Sequence, residues 1–141
     1  MTEIIRKDTD YAMRLLVCLA SNETGIPVAA KTLAASQDIP QDFAYKILRK
    51  MTRAGLVRGH MGSQGGFELA RRPDEITFLQ VISAIQGPVS VRRCCLDITA
   101  CPRHGSCNIS LKLGELQDSL VNSLQSLTLS DAIRAKNFKL S

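Results

Sequence analysis

The chain has 141 residues, enough for one domain with a sizeable core or for a smaller domain with a dimerising arm, and carries a formal net charge of +5. Aromatic residues make up 4% and Trp is absent, so Leu, Ile, Val and Ala must supply the core, which favours a helical protein. The opening MTEIIRKD contains no apolar signal segment, and the longest wholly apolar run, Leu15 to Ala20, is far too short to span a membrane; the expected compartment is the reducing cytoplasm.

Tyr11, Ala12, Leu15, Leu16 and Leu19 recur at helical spacing, with Thr9 placed to cap the N-terminus, so residues from about 9 to 21 read as an amphipathic helix. Asn22 to Pro27 breaks it. A second helix from about Val28 to Gln37 should bury Ala30, Leu33 and Ala34, and Asp38, Ile39 and Pro40 make a tight turn. The third helix runs from about Gln41 to Ala54 and ends at Gly55. Its apolar stripe is Phe43, Ala44, Ile47, Leu48 and Met51, and its opposite face carries Tyr45, Lys46, Arg49, Lys50 and Arg53. Two short helices joined by a tight turn, the second basic on its free face, are what a helix-turn-helix needs to enter a major groove while its back packs on the core.

From Tyr45 to Arg72, the basic residues Lys46, Arg49, Lys50, Arg53, Arg58, Arg71 and Arg72 are opposed by Glu68 alone. Such an excess marks a polyanion partner, although charge alone fits a solvated face equally well. Leu56 to His60 and Gly66 to Arg71 can each be an extended strand, joined across Met61 to Gly65, and this hairpin would complete a winged helix. The glycines are read as a turn, because no Lys-Ser/Thr follows them as a phosphate cradle requires. A further helix starts at Glu75 or Thr77 with Ile76, Leu79, Ile82 and Ile85 on one side, and Gly87-Pro88 stops it. The last candidate spans about Asn108 to Leu127, with Ile109, Leu113, Leu116, Leu120, Leu124 and Leu127 forming a seam that wants a partner helix.

Between these two helices lie Cys94, Cys95, Cys101 and Cys107, of which three repeat as Cys95-x5-Cys101-x5-Cys107 with Pro102 and Gly105 between. The gaps are too wide for one helical turn, so the segment must be a loop wrapping its thiolates around a centre. In a reducing compartment clustered cysteines bind metal or do redox chemistry more often than they staple a fold. Zinc is a rival occupant, weakened by the absence of a C-x2-C pair, and the spacing also differs from the tight runs of ferredoxins. Cys18, among Leu and Val in the first helix, reads as a buried core thiol. Enzyme chemistry finds little support: the only histidines are His60 and His104, with no nucleophile elbow, Walker loop or dinucleotide fingerprint.

The order of DTDYAMRLL, the helix-turn-helix, AGLVRGHMGSQGGFELAR, ITFLQVISAIQGP, the cysteine triplet and LTLSDAI resembles the iron-sulfur winged-helix transcription regulators that include IscR, NsrR and RirA, over nearly the whole length. The resemblance implies a mainly α protein with a small β wing, a homodimer that presents two winged helices to a palindromic operator in double-stranded DNA, and a 4Fe-4S or 2Fe-2S cluster between the cysteine loop of one subunit and helices of the other. It implies Cys95, Cys101 and Cys107 as ligands, with Cys94 a neighbour that could replace Cys95 after a register shift or simply pack. The histidine that IscR-like members place three residues after the third cysteine is Ser110 here. NsrR-like members use an aspartate at the start of the partner's first helix, and that position is Asp10; its charge also suits a helix N-terminus. Asp8 and His104 are the substitutes.

Position matching puts Gln41, Asp42, Tyr45 and Lys46 against base edges and Arg49, Lys50 and Arg53 against phosphates. The arginine common in relatives just before the glycine cluster is Met61, so Arg58 or His60 would have to supply a wing charge unless both are solvated hairpin residues. The expectation is therefore a cluster-dependent repressor sensing nitric oxide, redox state or iron status. It divides into a DNA-binding domain (1–88), a cluster loop (89–107) and a dimerisation helix with a C-terminal tail (108–141). The rivals are a winged-helix regulator with structural zinc or sensing thiols and, in another class, a small iron-sulfur redox protein.

Overall fold

A computed structural model describes residues 3–22, 25–91 and 107–135. Helix α1 spans Lys7–Ala20 and buries Ala12, Leu15, Leu16 and Leu19 along one stripe. It begins before Thr9, which therefore does not cap it: Thr9 is fully buried in the first turn and donates its hydroxyl to Gln86 Oε1 at 2.6 Å. Asp8 satisfies an N-terminal amide instead, its Oδ1 accepting from the Thr9 N–H at 3.0 Å. Arg6, at the N-cap position, holds that carboxylate with both Nε (3.1 Å) and Nη2 (2.7 Å).

Helix α2, Ala30–Ser36, buries Leu33 and Ala34 and is shorter at its start than the sequence predicts. Val28 is extended because its backbone pairs both ways with Phe67, at 2.9 and 2.8 Å. The approach requires glycine next door: a Cβ on Gly66 would lie 2.5 Å from the Val28 carbonyl carbon. Asp38 turns the chain with a left-handed φ of 53°, a conformation that Asp tolerates better than most side chains.

Helix α3, Gln41–Arg53, buries Ala44, Ile47, Leu48 and Met51 as the periodicity predicts. Phe43, expected in that stripe, stays partly exposed and meets Tyr11 of α1 edge-on at 5.6 Å between ring centroids. The helix ends in a Schellman motif: Gly55, with φ +78°, donates to Thr52 O at 3.1 Å and Leu56 to Met51 O at 3.0 Å. That turn launches β1, Val57–His60, which pairs antiparallel with β2, Gly66–Leu69, in the register Val57 to Leu69 and His60 to Gly66.

A short 3-10 turn at Pro73–Glu75 leads to α4, Phe78–Ile85. Thr77 and Gln80 cap α4 reciprocally, at 3.1 and 3.0 Å. Val81, Ile82 and Ile85 are buried, whereas Leu79 is partly so and Ile76 is buried ahead of the helix. Helix α5, Asn108–Ser126, is followed by α6, Leu129–Arg134, a helix where the sequence predicts only a C-terminal tail. Thr128 and Asp131 form its capping box, and Leu129 is fully buried in the main core. The Phe78 amide bonds Leu127 O at 2.9 Å and the Leu129 amide bonds Ile76 O at 3.0 Å, tying the end of the chain to the start of α4.

The architecture is mainly helical with a small two-stranded antiparallel wing, as expected. One core joins α1, α2, α3, the wing and α6; a second, around Ile82, Val89 and Leu124, fixes the far half of α5 to α4. Among the described residues no helix is long and apolar enough to cross a membrane.

Candidate nucleic-acid interface and cysteine-bearing end

The buried stripe of α3 anchors one side of the helix, which leaves Gln41, Asp42, Tyr45, Lys46, Arg49, Lys50 and Arg53 exposed on the other. Tyr45 is set by the wing: its ring meets Phe67 edge-on at 6.3 Å, and the Arg49 guanidinium lies 6.0 Å from the Tyr45 centroid. Between α3 and the hairpin runs a groove of about 510 Å³ whose walls include Tyr45, Arg49 and Arg53 on one side and His60, Met61 and Phe67 on the other. The structure thus brings the basic helix and the wing to one surface. Phe67 went unnoticed as an organiser of this face, because nothing local in the sequence says which side of a strand meets a distant helix.

The polar side chains of the wing share one partner. Glu68 Oε1 lies 3.0 Å from His60 Nε2 and 3.4 Å from Arg58 Nη1, so one carboxylate faces both. Across the molecule, partial burial pushes the Asp8 carboxyl up, but the Arg6 hydrogen bonds and charge, the Thr9 amide and the charge of Lys50 outweigh it and hold the group below the usual carboxylate range. Asp8 is thus already engaged by its own chain. Asp10 is more open, its side chain 61% exposed with Arg14 Nε at 3.4 Å.

Of the cysteine cluster, Cys107 is described: it is half-buried at the N-cap position of α5. Cys94, Cys95, Cys101 and His104 lie outside the described residues. Among the described residues no group of three or more His, Cys, Asp and Glu gathers closely enough to hold a metal ion. Ser110 is half-buried in the first turn of α5. Cys18, expected inside the core, is half-buried at its edge with Sγ 3.6 Å from Ser36 Oγ, because its position on α1 falls beside the buried stripe.

Two glutamines bracket the cysteine segment, and sequence reasoning passed over both. Gln117 of α5 donates to Val89 O and accepts from Val91 N, each at 2.7 Å, clamping the chain where it leaves α4. Gln86, at the end of α4, donates to Ile4 O at 2.8 Å and accepts from Arg6 N at 3.0 Å and Thr9 Oγ1 at 2.6 Å. The two side chains therefore connect the root of the cysteine segment to α5, and the end of α4 to the start of α1, where Asp8 and Asp10 sit. No local pattern flags a glutamine whose partners are distant in sequence.

The cysteine-bearing half of α5 is poorly covered by its own chain. Ile109, Leu111 and Leu116 are 65%, 67% and 53% exposed, whereas Leu120 and Leu124 further along pack against Ile82, Val89 and their neighbours.

The Rrf2 family model, described as an iron-dependent transcriptional regulator, matches residues 5–135. A Mycobacterium tuberculosis protein provisionally named as an HTH-type transcriptional regulator is 42% identical over 81 residues, 57% of this chain and 50% of its own; the match thus spans about half the length of that relative. The structure of CymR (YrzC), the global cysteine regulator of B. subtilis, superposes with a TM-score of 0.76 over 95% of this chain and 98% of its own, at 23% identity. T. potens IscR superposes with a TM-score of 0.72 over 94% and 88%, at 22% identity. Both structural likenesses are likenesses of fold.

Proposed function

From the premise that the chain belongs to the Rrf2 family of helix-turn-helix transcriptional regulators, and is therefore not an enzyme, we propose that it is a cytoplasmic homodimeric repressor whose operator binding is governed by an iron-sulfur cluster. Residues 1–88 act as the DNA-binding unit, 89–107 as the cluster loop, and 108–141 as the dimerisation arm, which also returns Leu129 to the first unit's core. One observation carries the reading: in the first turns after Cys107, α5 leaves Ile109 exposed with Leu116 two turns along on the same side, so the segment that a second copy would cover begins at a thiol of the triplet.

The donor set fits such a group. Cys95, Cys101 and Cys107 supply soft thiolates suited to iron, and Asp10 of the partner subunit supplies an exposed carboxylate whose existing partner, Arg14, is itself exposed. When bound, a 4Fe-4S or 2Fe-2S cluster would supply redox activity and reactivity toward nitric oxide. Asp10, a hard oxygen donor among soft sulfurs, would make the weakest bond of the set and hence the point of attack. Arg14 is the partner that Asp10 has within its own chain, and the Gln86 and Gln117 clamps are the contacts through which a change at the loop root would reach α1. The reading heads would then change their spacing relative to grooves about one duplex turn apart. Gln41, Asp42, Tyr45 and Lys46 would meet base edges; Arg49, Lys50 and Arg53, with Arg58 and His60 from the wing, would meet phosphates or groove edges.

The likeness to CymR favours a second reading, in which Cys95, Cys101 and Cys107 act as sensing thiols or hold zinc. Anaerobic purification with iron, sulfide and visible absorption measurements separates the two. The cluster reading expects brown protein with labile sulfide whose operator affinity changes on nitric oxide treatment; colourless, sulfide-free protein that regulates normally defeats it.

A further inference from the structure

We infer that Met61 is a minor-groove wedge: the tip of the wing engages DNA through an apolar side chain pressed against or between base pairs, while Arg58 and His60 behind it are left to the phosphates. Met61 follows the last residue of β1 and is 100% exposed, while Gly62, Ser63 and Gln64 beside it are exposed and uncharged. A lone apolar residue on a surface is ordinary. What distinguishes this one is its address, on the lip of the groove whose other wall carries Tyr45, Arg49 and Arg53 of α3. A duplex seated on that basic helix runs past the tip.

The tip is also held in place. The two wing strands pair throughout, Phe67 exchanges both backbone bonds with Val28, and the Phe67 ring abuts Tyr45, so the offset between α3 and Met61 is set by three separate contacts. Arg58 and His60, which precede Met61 on β1, face Glu68, and the tip itself carries no charged side chain. A thioether is flexible and polarisable, well suited to contact with the faces and edges of stacked bases, and minor-groove proteins use apolar side chains of this kind to unstack base steps. The consequence is a preference. A cation at the tip would favour narrow A-tract grooves, whereas an apolar wedge favours flexible pyrimidine-purine steps such as TA and CA.

The inference rests on duplex binding through α3 and not on the cluster. Duplexes selected from a random library by the full-length protein would be titrated with wild type, Met61→Ala, Met61→Leu and Met61→Arg across a salt series, with 2-aminopurine placed at the step under the wing. Met61→Ala should weaken binding about tenfold with an unchanged salt slope, because no phosphate contact is lost. Met61→Leu should stay close to wild type, and Met61→Arg should steepen the slope by about one phosphate contact per subunit and move the preferred wing step toward A-tracts. The 2-aminopurine signal should rise on binding of wild type and not of Met61→Ala. Binding by Met61→Ala within about twofold of wild type, with no 2-aminopurine response in either, overturns the inference. Lys46→Ala with Arg49→Ala is the separate check on α3: if that pair abolishes binding while Met61→Ala does not, the regulator stands and the wedge falls.

Discussion

Helices α3 and α5 are both amphipathic, but the chain completes only one of them. The stripe of α3 disappears into the core it shares with α1 and the wing, leaving a polar, basic face outward; α5 buries Leu124 and part of Leu120 yet leaves Ile109, Leu111 and Leu116 in water. A helix finished by its own fold can present a charged face to DNA, whereas α5 keeps apolar surface on which the proposed second copy would pack. The largest expected effect contrasts these stripes. Leu48→Ala in α3 should cost about 3 kcal/mol in a chemical unfolding experiment, because it opens a cavity in a closed core. Leu116→Glu in α5 should leave the fold of the protomer intact but shift sedimentation from dimer to monomer; a Leu116→Glu protein that remains dimeric would remove α5 from the interface.

On the α3 side, Lys46→Ala with Arg49→Ala should lower operator affinity and reduce the salt slope by about two, since Arg49 meets phosphate in each of two subunits and each such contact releases about one counterion. An unchanged slope would mean that neither touches phosphate. On the α5 side, Gln117→Leu leaves Val89 O and Val91 N–H without their side-chain partner, at a cost of about 1–2 kcal/mol. Faster amide exchange confined to residues 89–91 would confirm that the clamp fixes the loop root. The smallest effect belongs to Asp8. Its carboxyl is held below its unfolded range, so it contributes stability that is present above about pH 4 and lost as the pH falls through the folded value. Asp8→Asn should therefore melt about 1 kcal/mol less stably at neutral pH, a difference that closes on acidification; a difference that persists undiminished at low pH would assign the effect to something other than charge.

How far the sequence could be read follows from the range of each interaction. The extent of α3, most of its buried side, the Gly55 stop and the two wing strands are legible because periodicity, a left-handed glycine and turn residues act within a few positions. Thr9 misled for the opposite reason: it looks like a cap, but Gln86 claims its hydroxyl from the far end of α4 and Asp8 takes over the amide. Helix α6 carried a usable signal in Thr128-x-x-Asp131, whereas nothing near Val28 announces its pairing with Phe67.

The amino-acid order alone determined a mainly helical winged body, a basic recognition helix and a cysteine triplet ahead of a leucine seam, since each is written in local spacing and composition. Only the tertiary structure decided that Tyr45 and Phe67 lock the wing to α3, that one carboxylate faces both Arg58 and His60, that Gln86 and Gln117 tie α4 to α1 and α5, and which half of α5 packs on α4. Those outcomes depend on side chains from remote segments competing for the same partners, and that competition is resolved only when the chain has packed.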